Sequence, residues 1–178
     1  MEKHNFQIFE DPNQLWKYRG VKGWLLFFCI ILTILTPLMF FINTIFNVRI
    51  LQIMFENENN INNFLLVVTL LNFLLVILSM RAGLFLWVKH PRAVKVAKNF
   101  LYFVLGLSII SLALPFLLGL KKEVSTTLFI FELLDLVGTI IFVSIWYAYL
   151  ALSKRVKYTY MPVNEFELLL KNNSLQQT

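Results

Sequence analysis

The chain reads as long apolar runs separated by short polar breaks. Four runs are long enough to cross about 30 Å of hydrocarbon as helices: residues 24–48, 61–88, 100–120 and 124–152. Trp24 to Val48 carries no charge, and neither does Ile61 to Met80. The second helical pattern continues past Arg81 to about Lys89, where His90-Pro91 ends it, because proline pushes the residue before it out of the helical region. The first run is poorly described as a cleaved signal peptide, being too long and lacking a small-x-small exit. Short connections make successive helices antiparallel neighbours, so the predicted fold is all-α, an up-down four-helix bundle embedded in a membrane. Residues 23–153 form this domain, between an N-terminal segment (1–22) and a basic tail (154–178).

The positive residues orient the bundle, since Lys and Arg are retained on the cytoplasmic side. Lys3, Lys17, Arg19 and Lys22 precede the first span; Arg81, Lys89, Arg92, Lys95 and Lys98 lie around the second connection; Lys154, Arg155, Lys157 and Lys171 follow the fourth span. Only Arg49, Lys121 and Lys122 fall on the other side, so both termini are expected in the cytoplasm. In the tail, Pro162, Asn164 as N-cap, Glu167 and then Leu168 to Leu170 predict a short amphipathic helix on the membrane surface. Leu15, Trp16 and Tyr18 suit the N-terminal segment to the headgroup region.

Composition agrees with this picture and removes alternatives. The 178 residues are 58% hydrophobic and 15% charged, against about 25% charged in a soluble domain. The net charge of +6 does not imply nucleic acid, because the basic residues sit between apolar runs and not on an aromatic-interleaved solvated face. The single Cys29 and the distant His4 and His90 give no disulfide framework and no metal site, and no cofactor is expected.

Polar and small residues recur along each helix: Cys29, Thr33, Thr36, Asn43 and Asn47; Thr69, Asn72, Ser79 and Gly83; Ser108, Ser111, Pro115 and Gly119; Glu132, Asp135 and Thr139 with Gly138 beside them. Such stripes suit the packing seams of a small bundle, where small residues permit close approach, and Pro37 and Pro115 are tolerated as kinks. The acids demand more. One acid near a helix centre costs about 2.5–3.5 kcal/mol to insert, so two on one helix need a compensating environment. Asn72 lies level with Asp135, and Asn43 lies in the outer half within reach of Glu132. Glu132, Asp135, Asn72 and Asn43 are therefore expected to line one intramembrane polar pocket. Arg81 sits half a turn off the stripe of its own helix and nearer the cytoplasm, so it is read as snorkelling to headgroups. Lys154, Arg155 and Lys157 are assigned to orientation and anionic-lipid contact.

Three segments carry a resemblance: Gly20-Val-Lys-Gly-Trp-Leu-Leu, Pro37-Leu, and Ser153-Lys-Arg-Val-Lys-Tyr-Thr-Tyr. They resemble the bacterial membrane-protein family called domain of unknown function 2569, whose members show a Gly-Gly-Trp-Leu entrance and a Ser-Lys-Arg-Val-Lys-x-Thr-Phe exit. Lys22 replaces the first glycine of the entrance and Tyr160 the final Phe. The resemblance spans about residues 18–160 and implies a four-helix protein of a bacterial inner membrane, with no activity attached. The leading expectation is a scaffold or accessory subunit contacting lipids, other membrane proteins or further copies of itself. The alternative is a proton- or cation-coupled carrier or channel component using Glu132 and Asp135. An enzyme is not expected, since the chain offers no nucleophile beside a base, no His-Glu metal pattern and no phosphate loop.

Overall fold

In the computed structural model, residues 18–55 and 60–168 are described. Four helices are long and apolar enough to span a membrane: α1 (Trp24–Met54), α2 (Ile61–Trp87), α3 (Ala93–Leu117) and α4 (Lys122–Leu152). Two short helices follow, α5 (Lys154–Tyr160) and α6 (163–168). No strand occurs among the described residues. Consecutive helices pack side by side, so the up-down bundle is the observed fold. Tyr18 and the tail meet at one end, here the terminal end, and the α1–α2 and α3–α4 connections form the far end.

Three boundaries differ from the pattern reading. α1 runs on through Arg49 to Met54, and α3 begins at Ala93, seven residues before Phe100. Both extensions carry charge at a helix end, where a long basic side chain reaches water while its stem stays apolar. In the tail, Asn164 is not a cap. The Pro162 carbonyl accepts from the Phe166 N–H at 3.1 Å, so Asn164 lies inside α6, and a helix not anticipated, α5, precedes it. Ser153 caps α5 by accepting from the Val156 N–H at 3.5 Å. Leu169, Leu170, Leu15 and Trp16 lie outside the described residues.

α1 is not α-helical throughout. Ile31–Leu35 forms a π-helical turn just before Pro37, whose ring would clash with the residue 33 carbonyl in unbroken α-helix. In a π pattern residue 37 would donate to the carbonyl of residue 32, and proline has no N–H to give. The orphaned Leu32 carbonyl is answered from α2, where the buried Ser79 hydroxyl donates to it at 2.8 Å. Close approach is possible there because Gly83 faces the same turn. A Cβ on Gly83 would overlap Thr33 Cγ2 and stand 3.1 Å from Leu32 Cβ.

The packed interior is divided. At the terminal end, Leu25, Phe28, Cys29 and Leu32 of α1 join Ala82 and Leu86 of α2, Ala97 and Leu101 of α3, and Val143, Trp146 and Leu150 of α4. Trp146 stacks on Phe28 with ring centroids 4.3 Å apart and meets Trp24, Phe27, Phe142 and Tyr149 edge-on or tilted. A smaller core closes the far end, with Ile61, Phe64, Leu65, Leu114, Leu120 and Leu128. Asn60 ties the two far connections together, donating to the Leu118 carbonyl at 3.2 Å. The remaining apolar faces are exposed, as helices surrounded by lipid require.

Both ends of the helix pairs are finished by the same turn. Gly119 (φ 66°) ends α3 with its N–H on Phe116 and the Leu120 N–H on Pro115, a Schellman closure that uses the left-handed region glycine favours. Gly119 is thus a turn residue, contrary to its reading as part of a packing stripe. Lys89 (φ 55°) does the same for α2, with His90 N–H on Phe85.

Candidate binding cavity

Between the two cores lies a cavity of about 730 Å³. Its lower wall is Phe142, which packs on Trp146, and its upper wall is shared with the far core through Leu51, Phe64, Leu65 and Leu128. The four residues expected to share a pocket all line it: Asn43 from α1, Asn72 from α2, and Glu132 and Asp135 from α4. Glu132 and Asp135 stand near the middle of a 31-residue helix. Thr36, Ser108, Ser111 and Thr139 add hydroxyls, and Ser108 and Thr139 bridge α3 to α4 at 3.3 Å.

The stripes therefore do not behave as uniform seams. Near the terminal end they are closed: Cys29, Ser79 and Gly83 are buried, and Thr33 accepts from the Trp87 indole at 3.5 Å while donating to the Cys29 carbonyl at 2.8 Å. Toward the middle they open into the cavity. Gly138, beside them on α4, does not line the cavity, and a Cβ added there would meet no neighbouring helix. Among the described residues, the side chains of Asn43, Asn72, Glu132 and Asp135 hydrogen-bond to no protein group. Their capacity is directed at whatever fills the space.

The cavity is open on one side. Leu35, Met39 and Asn43 of α1 and Phe131 and Asp135 of α4 all line it and all are exposed, whereas Val76 of α2 and Leu107 of α3, on the inner wall, are buried. The opening thus lies between α1 and α4, which meet through aromatic rings only at the terminal end.

Arg81 is absent from the cavity wall and lies over the Phe85 ring, 5.8 Å from its centroid. Lys154 and Lys157 are exposed on α5 and Arg155 is half-buried there.

The residues that fasten the terminal end were not singled out by pattern. The Thr159 hydroxyl accepts from the Gly20 N–H at 3.1 Å and lies 3.2 Å from the Gly20 carbonyl and 3.4 Å from that of Tyr18, either of which takes its proton. Tyr160 donates to the Leu86 carbonyl at 2.8 Å. Burial, with smaller contributions from Cys29 and Tyr149, pushes the Tyr160 phenol up, so it remains a donor throughout the ordinary pH range. The signal was present in another form: the Gly20 segment and the segment ending in Thr159-Tyr160 are two of the three that carry the family resemblance, and they bond to each other across 139 positions.

Fold and cavity together define a multi-pass helical membrane protein with a polar chamber in its middle. The family model described as "Protein of unknown function (DUF2569)" matches residues 18–161, and the chain belongs to that family. No curated protein and no solved structure matches it.

Proposed function

We propose that this protein is a small accessory subunit of the bacterial inner membrane that binds a cation or proton in its central cavity, as a component of a carrier or channel. The observation that carries this reading is the convergence of Glu132, Asp135, Asn43 and Asn72, from three helices, on one cavity between two packed cores. Unpaired carboxyls at mid-membrane depth are costly in lipid; a bound cation or proton removes that cost. Pure scaffolding would use the exposed faces and leave the acids without a purpose. Four helices are few for a complete pathway, which favours action alongside other membrane proteins or further copies. The positive-residue asymmetry supports cytoplasmic termini, with Lys154, Arg155 and Lys157 toward anionic lipid. Lack of a nucleophile-base or metal motif in the sequence supports a non-catalytic role.

Infrared difference spectra of the protein in lipid nanodiscs test this. A jump from about pH 8 to about pH 5, bracketing the range in which solvated carboxyls stay ionised, or addition of KCl, should change carboxyl bands that disappear in Glu132→Gln and Asp135→Asn. Bands indifferent to both treatments overturn the reading.

A further inference from the structure

The structure assigns the cavity a ligand class: an organic cation with an apolar body, of the alkylammonium type, that enters sideways from the bilayer between α1 and α4. This rests on the cation-binding reading above and specifies it. The sign comes first. Among the described residues, Glu132 and Asp135 are the charged groups of the wall and no Lys or Arg lines it, so its charge favours a cation over an anion.

Size and composition separate an organic cation from an inorganic one. A volume of about 730 Å³ falls within the range of roughly 300–1,000 Å³ typical of small-molecule pockets, far more than one ion needs. Divalent ions want about six or more oxygens drawn close around them. Here only two carboxyls, three residues apart on one helix, face the space, and among the described residues no group of three His, Cys, Asp or Glu could hold a metal. Most of the lining is instead apolar. Phe40, Phe131 and Phe142 line it, aromatic rings of the kind that attract an ammonium, and Met39 supplies an adaptable thioether.

The route follows from where the wall is missing. Leu35, Met39, Phe131 and Asp135 are exposed along one side of the cavity, while the Phe28–Trp146 stack blocks the terminal end and the Phe64–Leu128 core the far end. An amphipathic cation already dissolved in the bilayer would place its head against the acids and leave its chain in the gap.

The test uses the full chain in phosphatidylcholine nanodiscs, with empty nanodiscs giving the partition background. The probe is labelled octyltrimethylammonium; octyl sulfate and octanol, of equal chain length, are competitors. Saturable binding above background is expected, displaced by unlabelled octyltrimethylammonium and not by octyl sulfate or octanol. It should fall at least about tenfold in Asp135→Asn and further in the Glu132→Gln/Asp135→Asn pair, since each change removes a carboxylate that would face the ammonium. Thermal melting of each variant reports the fold, and the competition in the native chain decides independently if a variant does not fold. Equal displacement by octyl sulfate, or unchanged binding in folded variants, overturns the assignment. Carboxyl bands that respond to protons or KCl without saturable octyltrimethylammonium binding overturn this ligand class alone and leave the cation-binding reading standing.

Discussion

The two halves of the bundle treat polar side chains in opposite ways. Toward the terminal end, four hydroxyls are committed to the backbone: Ser79 to Leu32, Thr33 to Cys29, Tyr160 to Leu86 and Thr159 to the segment at Gly20. These bonds let helices approach closely and seal an aromatic core around Trp146. Midway along, Asn43, Asn72, Glu132 and Asp135 stand around open space. In hydrocarbon an unsatisfied polar group costs several kcal/mol, so the first half converts polarity into packing and the second holds it in reserve for a ligand. Polarity alone does not make a site; polarity without an internal partner does.

That contrast can be broken most forcefully at two glycines. Gly83 touches Thr33 and Leu32, while Gly138 faces free space. Gly83→Leu should separate α1 from α2 and cost about 3 kcal/mol or more, the upper range for overpacking, seen as loss of the monodisperse species in size-exclusion chromatography. Gly138→Leu should leave that profile unchanged. Similar damage from both would mean that α4 is packed against a neighbour at Gly138 in the membrane.

A smaller loss is expected at Ser79→Ala. It strands the Leu32 carbonyl inside the terminal core, at about 1–3 kcal/mol for a buried unsatisfied acceptor, read as a lowered melting temperature in detergent. By contrast, Asp135→Asn should be neutral or slightly stabilising in the same assay, since an amide avoids holding charge away from water. A stability loss at Asp135 matching that at Ser79 would show that the acid is structural and erase the distinction between the halves.

A small stabilising effect is expected at the turn after α2. Lys89 occupies a left-handed conformation that costs a non-glycine residue about 1 kcal/mol. Lys89→Gly should raise the melting temperature by a few degrees, with the cavity unaffected. No change would place the strain elsewhere.

The four spans and the company of Asn43, Asn72, Glu132 and Asp135 were legible because helix depth can be counted along an apolar run. Residues at equal depth on neighbouring antiparallel helices must come near each other. Depth does not reveal which polar residues are answered and which are left facing a cavity. Ser79 and Asn72 look alike in sequence, both polar positions on one helix, but Ser79 meets a carbonyl that only the Pro37 turn exposes. The Thr159 to Gly20 contact was illegible for a related reason: the tail reads as a charged surface segment, and the folding of α5 beneath the bundle depends on tertiary contacts that no local pattern encodes. Lys89 was hidden because glycine, the usual marker of such a turn, is missing there and present at Gly119.

The π-helical turn at Ile31–Leu35 also sets the azimuth of everything beyond it in α1. It accommodates one residue more than α-helical winding would, and one residue corresponds to about 100° of rotation about the axis. Asn43 therefore reaches the cavity wall through a phase offset introduced a dozen residues earlier. Shortening α1 by one residue within that turn would keep every side chain of the outer stretch, yet swing Asn43, Met39 and Phe40 around the cylinder together. The wall of the chamber would change its chemistry without a single substitution in it.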